Sequence, residues 1–217
     1  MKTLQQHINE KLVINKNTKI TYNYHPKTKK ELTTIIDKLI KERGNEADLN
    51  DIDTSAITDM RSLFYESEFN GDISNWNVSN VEDMSSLFRD SKFNGDISNW
   101  DVSNVESMFA MFRGSVFTGN LDEWDVSKVN DMSYMFSNSE FNGDLSKLNM
   151  ENVEYTNSMF YHSSFTGKNG DISKWKFKKL ISANEMFDAD KLSENDDLLD
   201  KAIDAWNLPD EIIDAMY

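Results

Sequence analysis

The sequence predicts an α/β solenoid of six ~24-residue strand-turn-short-helix units, with an α/β cap before it and a helical cap after it. Three observations lead there. Bulky residues recur at one spacing, glycine turns divide the recurrences, and amphipathic segments flank them on both sides. Phe69, Phe93, Phe117, Phe141 and Phe165 are each 24 residues apart, as are Trp76, Trp100, Trp124 and Leu148, and Phe64, Phe88, Phe112, Phe136 and Phe160. Periods of this length mark stacked architectures, in which no unit buries its apolar side alone.

The units differ little. FNGDISNWNVSNVE at 69–82 recurs as FNGDISNWDVSNVE at 93–106, with one change. Three extra residues enter near Lys168, Asn169 and Gly170, after which GDISKW resumes the pattern and sets Trp175 and Phe187 27 positions after Leu148 and Phe160. Units start near residues 47, 71, 95, 119, 143 and 170. Within a unit, Trp76 and Val78 share a face at strand period. Val81, Met84, Leu87 and Phe88 follow at three- and four-residue steps, which predicts a helical or 3₁₀ turn. Ser79-x-x-Glu82 and Ser103-x-x-Glu106 read as capping boxes that open it. Asn70-Gly71 and Asn94-Gly95 mark the turn between units.

The boundaries expected are 1–46 for the N-terminal cap, 47–192 for the array and 193–217 for the C-terminal cap. Residues 2–13 read as a weak helix, and 19–24 alternate like a short strand. Thr28-x-x-Glu31 is a capping box for a helix whose face is Leu32, Ile35, Ile36, Leu39 and Ile40, and Gly44 stops it. Leu198, Leu199, Ala202, Ile203 and Trp206 predict a second amphipathic helix, and Pro209 suits position N1 of a last short one.

Composition narrows the function. Net charge is −15: residues 1–46 carry a net positive charge, while 47–189 and 190–217 are each net acidic. Such an acidic bulk repels phosphate backbones and anionic membranes, so no nucleic-acid partner is expected. The lysines at 27, 29, 30, 38 and 41, with Arg43, read as the solvated face of the cap helix. Cysteine is absent, which removes disulfides, thiolate metal sites and cysteine nucleophiles, and the three histidines are scattered. No apolar run is long enough to span a membrane, and the first ten residues lack a secretory h-region, so a cytoplasmic location is expected. No phosphate loop or nucleophile elbow is visible, so the expectation is no enzyme, no cofactor and no metal.

The partner-binding candidates are the polar residues between the apolar strand positions. They are Asp51, Asp53, Asn75, Asn77, Asn99, Asp101, Asp122, Glu123, Asp125, Lys147, Asn149, Lys174 and Lys176. Stacking at ~4.8 Å would make them a flat ladder sheet, acidic at the fourth unit and basic at the sixth. A surface with a change of sign suits docking of a protein, with charge setting orientation. A second column, Asp48, Asp72, Asp96, Asp144 and Asp171, offers hard oxygens for calcium, a structural spacer being the function then implied; the competing reading is turn chemistry. The Trp column reads as core, because interior packing conserves volume.

The phrase DISNWDVSNVESMFAMF resembles the BspA-like family of leucine-rich-repeat-like proteins of bacteria and mycoplasmas. It stands at Trp76–Phe88, Trp100–Phe112 and Trp124–Phe136, and in degraded form at Leu148–Phe160 and Trp175–Phe187. The resemblance implies a right-handed solenoid and a binding or adhesion role, at the cell surface in many relatives. Similar repeats in phages and mobile elements imply an intracellular role. The function expected is non-enzymatic protein binding, as an intracellular binder or inhibitor. The alternative is host interaction at the surface.

Overall fold

A computed structural model describes residues 21–187 and 196–216. Among the described residues, the helices are α1 (Lys29–Arg43), α2 (Asp196–Trp206) and the short α3 (Asp210–Asp214), with one 3₁₀ turn at Ile172–Lys174.

The α/β solenoid of strand-turn-short-helix units is not what forms. The described residues hold no β-strand, and neighbouring units meet in isolated parallel bridges, one residue each: Asp48 with Asp72, Asp59 with Asp83, Asp83 with Ser107, Ser107 with Asp131, Asp131 with Tyr155, Tyr155 with Ser182. The segment expected as a strand spends its backbone locally. Trp76 donates its N–H to the Ile73 carbonyl and Val81 to that of Val78, each closing a turn. Side-chain alternation survives there, with Trp76 and Val78 buried and Asn77 exposed, but no sheet accompanies it.

The expected helical turn is also absent, for a reason in the dihedrals. Ser86 and Asp90 have φ of 57° and 56°, which a right-handed helix excludes. The chain instead runs through successive turns, with Leu87 bonded to Met84, Arg89 to Ser86 and Ser91 to Phe88. A positive φ at the third residue of four is the signature of a type II turn. Consecutive turns bring apolar residues inward at three- and four-residue steps, so they imitate helical spacing. Ser79 caps no helix; its N–H and hydroxyl both donate to Asn77 Oδ1.

What stacks the units is a set of rungs from these turns. The N–H groups of Met84, Ser86, Phe88 and Asp90 donate to the carbonyls of Ser107, Phe109, Met111 and Arg113 at 3.0, 2.8, 2.9 and 2.7 Å. Alternate residues point their amides at the next unit, and the intervening ones close turns within their own. Inside, Phe64, Phe88, Phe112, Phe136, Phe160 and Phe187 form a stack with centroids 5.6 to 5.7 Å apart. Each indole N–H of Trp76, Trp100, Trp124 and Trp175 donates to a carbonyl of the preceding unit. The Trp column is therefore core, 2 to 4% exposed. Gly71 lies so close to the unit before it that a Cβ would come within 2.0 Å of the Ala47 carbonyl oxygen.

Both caps continue this pattern. Thr28 Oγ1 accepts the Glu31 N–H and opens α1, while Gly44, at φ 88°, ends it with its N–H on the Ile40 carbonyl. Leu32, Ile36 and Leu39 bury against the first unit. The expected strand near residue 24 amounts to a single bridge, Tyr24 with Ile52. The helix read at 2–13 and the strand's start lie outside the described residues, as do the side chains of Leu198 and Leu199. On α2, Ala202, Ile203 and Trp206 are buried. Trp206 stacks on Trp175 at 5.9 Å and donates its indole N–H to Ile172. Glu185 and Phe187 then donate to the carbonyls of Ala215 and Met216, so the C-terminal segment supplies the last rung. Pro209 is the N-cap of α3, one residue before the N1 place expected. Among the described residues, no helix is long and apolar enough to cross a membrane.

Candidate functional site

The polar columns do not form the flat ladder sheet expected, since no sheet exists there. They form ridges of Asx turns, in which a side-chain oxygen accepts the N–H two residues on. Asn77, Asp101 and Asp125 hold the N–H groups of Ser79, Ser103 and Ser127 at 3.1, 3.2 and 3.0 Å, and Asn149 holds that of Glu151 at 3.1 Å. Asp53 does the same for Ser55 and also meets His25 Nδ1 at 3.2 Å. Hydrogen bonds from Ser55 and Ser103 hold the carboxyls of Asp53 and Asp101 below the ordinary aspartate value.

Asp51 is a structural link to the cap. Arg43 grips it with its two terminal guanidinium nitrogens, at 3.0 and 2.9 Å, and Asn23 donates to it at 2.8 Å. The Arg43 bond is the main reason its pKa is lowered. Lys147 bridges Asp122 at 3.0 Å and Glu123 at 2.5 Å, so the acids of the fourth unit are partly neutralised by the fifth. Those bonds, the Glu123 one first, push the Lys147 pKa up. Asn75, Asn99, Lys174 and Lys176 remain exposed, with no side-chain bond or ion pair among the described residues.

The aspartate column follows the turn reading. Asp48, Asp72, Asp96, Asp144 and Asp171 each accept the N–H two residues ahead, and Asn120 does so where the column changes residue. Among the described residues, no three His, Asp or Glu groups converge to hold a metal ion.

The structure also brings together residues that repeat reading passed over. Arg61, Arg89 and Arg113 are three of the chain's four arginines, and all lie on the turn side of the array. Arg89 lies 5.3 Å from the Tyr65 ring centroid, in the unit before it. Arg113 lies 5.5 Å from that of Tyr134, in the unit after, and Tyr134 meets Phe109 edge-on at 5.6 Å. The signal was divergence: the positions of Tyr65, Arg89, Arg113, Ser137 and Tyr161 are equivalent, yet vary while their neighbours hardly change.

No curated protein and no solved structure matches the chain. A family model described as "Mycoplasma protein of unknown function, DUF285" matches residues 33–138 and again 114–202. Two overlapping matches are what an internally repeated chain produces. Together they run over most of its length, and the chain belongs to this family.

Proposed function

We propose that this chain is a non-enzymatic protein-binding module that docks another protein on its exposed polar columns. The observation that carries the reading is a rigid register. Equivalent side chains in successive units are held by rungs and Asx turns, so Asn75, Asn99, Lys174 and Lys176 project from a backbone already ordered. Pre-ordered groups lose little entropy on binding. The ridge changes from Asp125 through neutral Asn149 to Lys176, which would orient a partner of complementary charge. Residues that cap turns or neutralise one another serve the scaffold, so the exposed, unpaired members are the better candidates for contact.

The test is affinity capture from the native cell with mass spectrometry, repeated with Lys174→Glu/Lys176→Glu and with Asn75→Lys/Asn99→Lys. A partner held by the wild type and released by either variant supports the reading. A partner retained by both would move the contact to another face. The BspA-like resemblance favours a second reading, adhesion at the cell surface, against an intracellular binder or inhibitor. Cell fractionation separates the two.

A further inference from the structure

We propose that the arginine-tyrosine side of the array is a docking surface of its own, for a protein segment that presents carboxylates between apolar side chains. The inference rests on the protein-binding reading and assigns a different face and a partner chemistry. Asn77 and Arg89 stand on different segments of a unit: their neighbours Trp76 and Phe88 are both buried, in two columns that meet at Phe88 and Trp100, 6.2 Å apart.

Arg89 and Arg113 stand on adjacent rungs, joined by the Asp90 N–H to the Arg113 carbonyl at 2.7 Å. Two like charges so placed repel. They lean apart, Arg89 over Tyr65 in one direction and Arg113 over Tyr134 in the other. Arg89 also meets Asp90 at 3.2 Å, whereas Arg113 has no ion pair among the described residues. A guanidinium lying over a ring keeps its edge donors available, in the planar fork that fits a carboxylate. The flanking rings add apolar area: Tyr65 is 42% exposed, and Phe109 and Tyr134 are partly exposed. Arginine and tyrosine are the residue types that dominate binding energy at protein interfaces. A nucleic acid would also suit arginine beside aromatic rings. The net charge of −15 repels a continuous phosphate chain but tolerates isolated carboxylates, so a protein segment is favoured.

The test is fluorescence polarisation of the full chain with labelled synthetic peptides that set two glutamates, two glutamines or two lysines among phenylalanines and serines, and with labelled oligodeoxythymidine. The glutamate peptide is expected to bind, and the other three probes far more weakly. Arg89→Gln/Arg113→Gln should reduce its affinity ~tenfold or more, since each loses a charge-assisted contact. Arg89→Lys/Arg113→Lys keeps the charge without the fork, and should also weaken binding. Thermal melts at the wild-type temperature would show that these variants fold. No binding of the glutamate peptide, equal binding of the oligonucleotide, or full affinity in the folded glutamine variant would each overturn the proposal. Loss of peptide binding in Asn75→Lys/Asn99→Lys but not in the arginine variants would overturn it as well, while leaving protein recognition by the polar columns standing.

Discussion

Asp101 spends one oxygen on the Ser103 N–H and hydroxyl, as Asn77 does for Ser79 one unit earlier. Because an amide oxygen performs the task in the sister unit, Asp101→Asn should leave the melting temperature nearly unchanged. Asp101→Ala should lower stability by about 1 kcal/mol, measured by urea denaturation. The carboxyls of Asp51, Asp53, Asp101 and Asp171 are held below 3.8, chiefly by bonds from Arg43, Ser55, Ser103 and Ser173. A depressed folded-state pKa means that the unfolded chain takes up protons first. The stabilisation is full above the ordinary carboxylate value and is lost as pH falls through the lower folded values. Melting curves should therefore hold a plateau above about pH 5 and fall steeply below about pH 4. A melting temperature that rises on acidification would contradict this. Backbone strain gives a prediction of opposite sign. Ser62 is exposed at φ 56°, a conformation unfavourable for any residue with a Cβ. Ser62→Gly should stabilise the protein by about 0.5–1 kcal/mol, the relief of strain exceeding glycine's added chain entropy.

The elements show which local signals are reliable. α1 was legible to its ends, because Thr28 and Gly44 carry cap chemistry that acts over a few residues. The strand and short helix of each unit were misread, because periodicity reports which side chains face inward and not how the backbone gets there. Trp76, Asn77 and Val78 alternate like a strand, and Met84, Leu87 and Phe88 step like a helix. The turn bonds and the positive φ of Ser86 and Asp90 produce the same inward faces by another route. Nothing in a serine announces a positive φ; the signal lay in the other column, where Asp90, Gly114, Asn138 and His162 are residue types that tolerate it. The C-terminal cap reproduces the contacts of a unit without its sequence, through the Trp206 indole bond to Ile172. Trp206→Ala should cost about 3–5 kcal/mol, with the drop visible in thermal melts monitored by near-UV dichroism. A loss below 1 kcal/mol would mean that α2 covers the array without sharing its core.

At the scale of the whole molecule, stacking of repeated units was legible, since residues 24 apart bond directly, as Asn94 N–H does to Asn70 Oδ1. Most polar-column positions were legible as exposed, Asp51, Asp53 and Asp122 being half-buried, but the turn-capping use of Asn77, Asp101, Asp125 and Asn149 was not. The arginine-tyrosine side was hidden because near-identity draws the eye to what repeats, whereas Tyr65, Arg89 and Arg113 differ from unit to unit. Single-residue rungs from consecutive turns, and not a sheet along the tryptophan side, join the units. Residue-resolved amide hydrogen exchange distinguishes the two arrangements. Strong protection is expected at alternate amides, Met84, Ser86, Phe88 and Asp90, repeated at 108–114 and 132–138. Asn99 should exchange faster, because its N–H donates to no other unit, whereas that of Asn75 is held by Asn50 Oδ1. Continuous protection through 74–78 and 98–102, with rapid exchange at the rungs, would contradict the rung arrangement.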